Sequence, residues 1–195
     1  PLVVTAQLFG LGKKDHLLTR SGGNVDDQIY VTGSLGDSAA GLSLISKGIA
    51  DASDSHQVLK NRFLRPTPRV SAGIAMRGIA NAAIDISDGL LADLGHICEA
   101  SGCGAVIDVE RLPLSEELRT LFSLEAAHNF AICGGEDYEL CFTASSEDGP
   151  AIKKCLESSG IKAYPIGQLV EQPGVVCRRS GKPFMPASTG YLHFT

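Results

Sequence analysis

The stretch Ala82-Ala83-Ile84-Asp85-Ile86-Ser87-Asp88-Gly89-Leu90 constrains this chain most. Its first residues read as a strand, and Gly89 permits a sharp turn. The residues that follow put Leu90, Leu91, Leu94, Ile97 and Cys98 on one helical face. Strand, tight turn and helix therefore run together from about 82 to 100, and Ser101-Gly102 closes the helix as a C-terminal glycine does.

The rest of the chain extends that alternation. Strands are expected at about 2–9, 28–32, 105–109, 137–143, 163–170 and 174–178. Helices are expected at about 37–47, 55–64, 69–80, 89–100, 115–122 and 147–159. Pro66 and Pro68 break the second helix from the third. Strands interleaved with helices and ending in short strands predict an α+β fold, a mixed β-sheet covered by helices. The chain opens at Pro1 inside the apolar run Leu2-Val3-Val4, as a fragment or a processed product would.

At 195 residues the chain is long enough for one sizeable domain, or a domain with a remnant of another. A formal charge of −5 argues against a nucleic-acid binder, which carries a basic face. No apolar run reaches membrane-spanning length. The six cysteines lack CxxC spacing and several sit in apolar runs, so buried reduced thiols are expected ahead of zinc ligands or disulfides.

Four places can carry chemistry. Asp85 at a strand end and Asp88 at a helix start can converge on one point. Two carboxylates without a nearby lysine favour a hard cation such as Mg²⁺ between them and a phosphate. Ser87 offers a hydroxyl beside helix N–H groups, which favour anions. Spacing alone is equally served by Ser87 or Asp88 capping the helix and Asp85 closing the strand. Gly134-Gly135-Glu136-Asp137-Tyr138-Glu139-Leu140 implies a backbone passing close to something, or simply a glycine turn into a strand. Arg20-Ser21-Gly22-Gly23 is a flexible loop with one guanidinium, suited to phosphate or to nothing beyond the surface. Tyr191 and Phe194 near the end of the sequence are either ligand contacts or plugs of the core.

Taken in order, Arg20-Ser21-Gly22, Val31 to Gly36, Pro66-Thr67-Pro68-Arg69, Ile84 to Leu90, Gly134 to Leu140 and Gly190 to Phe194 resemble the thiamine-monophosphate kinase family. That family falls in the superfamily of aminoimidazole ribonucleotide synthetase and selenophosphate synthetase. The resemblance covers nearly the whole chain. It implies transfer of the ATP γ-phosphoryl group to thiamine monophosphate, giving thiamine diphosphate, in a cytoplasmic enzyme whose full-length form is a homodimer. It implies Asp85 and Asp88 as Mg²⁺ ligands, Arg20 and Ser87 as ATP contacts, and Glu136 and Tyr191 as contacts of the thiamine moiety. Residues 1–19 are then the last strand and linker of a preceding ATP-binding domain, and residues 20–195 the C-terminal α/β domain. Such a fragment would be incomplete for catalysis. The attacking phosphate oxygen is already ionised, so no separate general base is implied. The sequence departs from the family pattern at Gly23-Asn24-Val25-Asp26-Asp27 and at Leu192. The alternatives are another ATPase of the superfamily, such as aminoimidazole ribonucleotide synthetase, or a non-catalytic binding module.

Overall fold

A computed structural model describes residues 3–7, 9–13, 17–50, 53–157 and 159–187. The strands are β1 (Gln28–Thr32), β2 (Ala82–Asp85), β3 (Gly104–Asp108), β4 (Leu140–Ala144), β5 (Ala163–Val170), β6 (Gly174–Arg179) and β7 (Lys182–Phe184). The helices are α1 (Asp37–Ser46), α2 (Asp54–Leu64), α3 (Val70–Ala75), α4 (Leu90–Ser101), α5 (Glu116–Leu121), α6 (Leu124–Cys133) and α7 (Gly149–Glu157).

The strands form one sheet in the order β2-β4-β1-β5-β3-β6-β7. Every pairing is antiparallel except β3 with β6. The sheet is therefore mixed, as expected, and helices cover it on both faces. Alternate residues of the central strands serve the two sides, which is the period-2 geometry of a strand. Ile29, Val31, Ile84 and Cys141 meet Leu90, Leu94 and Ile97 of α4 on one face. Tyr30, Phe142 and Ala144 meet Ala72 of α3 and Ile152 and Leu156 of α7 on the other. Tyr30 and Phe142 stack with ring centroids 5.2 Å apart. A third layer sits outside α6, where Ala40, Leu44, Leu59 and Leu118 bring α1, α2 and α5 together. Gly41 makes that layer possible: a Cβ there would lie 2.1 Å from the Leu59 carbonyl oxygen, so α1 and α2 touch backbone to backbone.

Several sequence expectations need correction. Residues 3–7 and 9 form no strand; Val3, Val4 and Phe9 are exposed. A strand needs a neighbour for its N–H and C=O groups, and among the described residues none pairs with this segment. The helix expected to reach residue 80 ends at Ala75, and the chain then turns through Gly78 at φ +77°. The strand expected from Asp137 starts at Leu140, because Glu136 (φ +68°) and Tyr138 (φ +49°) are left-handed. Helix α6 and strand β7 were not anticipated.

The cysteines follow expectation where they are buried: Cys98, Cys103, Cys141 and Cys177 are thiols. Burial pushes the Cys98 thiol up to about 12, which keeps it protonated and unreactive.

Candidate active site

The site is built where two loops lie side by side. The turn after β2 runs antiparallel to the residues leading into β4. Ile86 N–H donates to the Glu139 carbonyl (2.8 Å), Tyr138 N–H to the Ile86 carbonyl (2.9 Å), and Glu136 N–H to the Ser87 carbonyl (2.8 Å). Gly135 explains the glycine pair. A Cβ there would sit 2.3 Å from the Ser87 carbonyl oxygen, so only a glycine lets the loops come this close.

The turn is held from inside by Asp93, one turn into α4. One oxygen, Oδ2, accepts from the N–H groups of Ser87 (2.9 Å), Asp88 (3.0 Å) and Gly89 (3.1 Å). Asp93 is buried, and burial raises its pKa while these three bonds pull the other way. The N–H groups that Asp93 binds belong to the turn and precede Leu90, the first residue of α4. One expectation is corrected: neither Ser87 nor Asp88 caps the helix, since Gly89 holds the N-cap position and no side chain bonds from it. Sequence reasoning missed Asp93, whose role is to reach back from the first turn of α4 to the N–H groups of the preceding turn.

Asp85, Ser87, Asp88 and Glu136 sit on this paired unit. Ser87, Asp88 and Glu136 line one cavity of about 300 Å³, together with Ala39 and Leu42 of α1 and Phe63 of α2. Asp85 is exposed and opens to a separate hollow of about 500 Å³, which it shares with Arg20, Arg77 and Ile74. Arg20 is exposed. The structure thus divides the expected residues into Asp85 with Arg20, and Ser87 with Asp88 and Glu136. Tyr138 joins the two groups. Burial raises its pKa, the Glu136 carboxylate that bonds to it adds to this, and the charges of Asp85 and Asp88 add further. Three carboxylates therefore act on one phenol. Tyr191 lies outside the described residues; Ala187 donates its N–H to Asn129 Oδ1 of α6 at 3.2 Å.

The other acids of Gly134 to Leu140 are structural. Asp137 is wholly buried and accepts from Gly36 N–H (2.7 Å) and Ser38 N–H (3.1 Å), fixing the start of α1. Burial pushes its carboxyl up to about 7, against those two bonds. Glu139 is buried with Arg62, Arg69 and Thr32 around it. Arg62 also approaches Asp37, which takes hydrogen bonds from Ser34 and Ser115.

Asp85 and Asp88 offer hard oxygen donors of the kind Mg²⁺ takes. Among the described residues no three His, Cys, Asp or Glu side chains gather as a metal site. Asp85 and Asp88 border separate hollows, so the expected convergence of the two carboxylates on one point is not seen among the described residues.

Residues 24–179 match the family described as AIR synthase related protein, C-terminal domain. The thiamine-monophosphate kinase of Escherichia coli K12 is 45% identical over 197 residues, covering 100% of this chain and 60% of that protein. The crystal structure of thiamine-monophosphate kinase from Stenotrophomonas maltophilia superposes with a TM-score of 0.80 at 40% identity, over 86% of this chain and 54% of that one. AaThiL complexed with AMPPCP and TMP gives a TM-score of 0.75 at 35% identity, over 91% of this chain and 54% of that one. The chain spans about three-fifths of the length of the curated relatives it matches. The family match runs from the loop before β1 to the end of β6 and takes in the clamped turn and its partner loop, and the chain belongs to the AIR synthase related proteins as their C-terminal domain.

Proposed function

We propose that this chain is the C-terminal domain of an ATP-dependent thiamine-monophosphate kinase, with residues 20–195 forming the domain and residues 1–19 the end of a preceding ATP-binding domain. A phosphate oxygen of thiamine monophosphate attacks the γ-phosphorus of ATP. The bond to the β,γ-bridging oxygen breaks, leaving ADP and thiamine diphosphate. The observation that carries this reading is the clamped pair of loops, which presents Asp85, Ser87, Asp88 and Glu136 from one rigid unit. The relatives named thiamine-monophosphate kinase support it, as does the AaThiL complex with AMPPCP and TMP.

Asp85 and Asp88 would hold Mg²⁺. The metal supplies charge neutralisation between two anionic substrates, which is the main obstacle in phosphoryl transfer. Arg20 and the Ser87 hydroxyl bind ATP. Glu136 and Tyr191 bind the thiamine moiety. The remaining metal ligands come from the segment that the longer relatives carry, and the complete enzyme is a cytoplasmic homodimer. The proposal is tested by incubating the intact protein with ATP, Mg²⁺ and thiamine monophosphate and following ADP and thiamine diphosphate by chromatography. One-to-one formation of the two products is expected. ADP without thiamine diphosphate would sink the assignment.

A further inference from the structure

The cavity beside Glu136 has a mixed lining: two carboxylates, Asp88 and Glu136, with Ser87, and the apolar side chains of Ala39, Leu42 and Phe63. Among the described residues no basic side chain lines it. Such a cavity attracts a cation, and an aromatic wall selects a cation that is flat and weakly hydrated. Its volume of about 300 Å³ is at the lower end for small-molecule sites, enough for the ring portion of a ligand rather than a nucleotide.

Phe63 is also held in place from behind. Its neighbour Arg62 is drawn to the buried carboxylate of Glu139 at 2.9 Å and toward Asp37 at 3.9 Å. That anchor fixes the last turn of α2 against the layer below. The last turn of α2 is where Phe63 lines the cavity.

We propose that Phe63 is a specificity-determining residue: its ring is the aromatic surface that selects the cationic thiazolium ring in the cavity it lines together with Asp88 and Glu136. This rests on the kinase reading above. It adds that the enzyme discriminates by ring charge, and that this discrimination resides in α2 rather than in the two loops alone.

The experiment compares two ligands on the intact protein by calorimetry: thiamine monophosphate, and an isostere whose thiazolium is replaced by a neutral thiophene. The variants are Phe63→Leu, which keeps an apolar wall without a π face, and Phe63→Tyr, which keeps the face. Wild type is expected to prefer the cation by at least about tenfold. Phe63→Leu should weaken thiamine monophosphate by roughly 5- to 30-fold, the range a cation–π contact provides, and change the neutral isostere by less than about twofold. Phe63→Tyr should restore the preference, and melting temperatures measured beside each titration identify a variant that has lost its fold. Equal losses for both ligands in folded Phe63→Leu would overturn the proposal, since the residue then contributes shape alone. Unchanged affinity for both would overturn it too. Wild type that binds neither ligand would refute the kinase reading itself, a result distinct from either of these.

Discussion

Arg69 grips Glu139 with two nitrogens: Nε donates to Oε2 at 2.7 Å and Nη2 to Oε1 at 2.6 Å. Glu139 has no exposed surface. Arg62 Nη2 shares Oε1 at 2.9 Å, and the Thr32 hydroxyl donates to Oε2 at 2.7 Å. One carboxylate at the head of β4 thus ties together the end of β1, the last turn of α2 and the residue before α3. Three of the motifs read from the sequence meet at this atom group. Their shared role is to hold the loops that carry the site.

Arg69→Leu should therefore be a stability variant first. It leaves Glu139 buried with one cation instead of two, and breaking a buried pair costs about 3–5 kcal/mol. Arg69→Lys should recover less than half of that, because an ammonium cannot reproduce the two-pronged contact. Urea unfolding followed by circular dichroism gives both values. A loss under about 1 kcal/mol for Arg69→Leu would show that Arg62 alone neutralises Glu139.

Asp137 makes stability depend on pH. Its folded pKa, about 7, lies above the ordinary carboxylate value. The folded protein then holds a proton that the unfolded chain has released, so stability is fully present below about pH 4 as far as this group is concerned and falls as pH rises to about 7. Asp37 and Asp93, also raised by burial, act in the same direction, while the nearby Arg62 opposes it at Asp137. Asp137→Asn should flatten the decline between pH 5 and 7. Chemical denaturation at several pH values measures it, and a wild-type curve that rises over this window would contradict the assignment.

Much of the sheet was legible because its strands are short, β-branched and bounded by glycine or proline. β1, β2 and β3 fall within a residue or two of where alternation put them. Helix α6 was missed because only Phe122 and Ser123 separate it from α5, with no glycine or proline between. The one local signal was Ser123, whose hydroxyl accepts from Ala126 N–H at 3.3 Å as an N-cap. Strand β7 has three residues, one of them proline, and exists only by pairing with β6. Local turn and glycine signals marked the two loops, while the roles of Asp85, Ser87, Asp88 and Glu136 came from the family resemblance. The supports of the candidate site were not legible. Arg69 and Glu139 are 70 residues apart, and Phe63 comes to line the same cavity as Glu136 only through the packing of α2 on α1.

Gly135 should be intolerant of any side chain. An alanine Cβ would press on the Ser87 carbonyl, which can yield only by separating the two loops. Gly135→Ala is expected to cost about 1–3 kcal/mol and to lower phosphoryl transfer further than the lost stability explains. Gly95, inside α4, is the control: a Cβ there meets nothing within 4 Å, and Gly95→Ala should stabilise by roughly 0.5–1 kcal/mol. Thermal melts and initial rates on both variants separate packing from site geometry. Equal behaviour of the two would mean the close approach at Gly135 is not what holds the loops.

Asp88→Asn separates chemistry from structure. The backbone N–H of Asp88 is bound by Asp93, so the turn keeps its shape whichever side chain stands at 88. The Asp88 charge also raises the pKa of Asp93, so neutralising it relieves that repulsion. Stability should stay level or rise slightly. If Asp88 holds Mg²⁺, activity in the intact protein should fall at least about 100-fold, equivalent to about 3 kcal/mol of lost transition-state stabilisation. The concentration of Mg²⁺ giving half-maximal rate should rise with it, whereas the dissociation constant for ATP measured without metal should not move. Activity within a few-fold of wild type, at unchanged Mg²⁺ dependence, would remove Asp88 from the metal site and leave the role to Asp85.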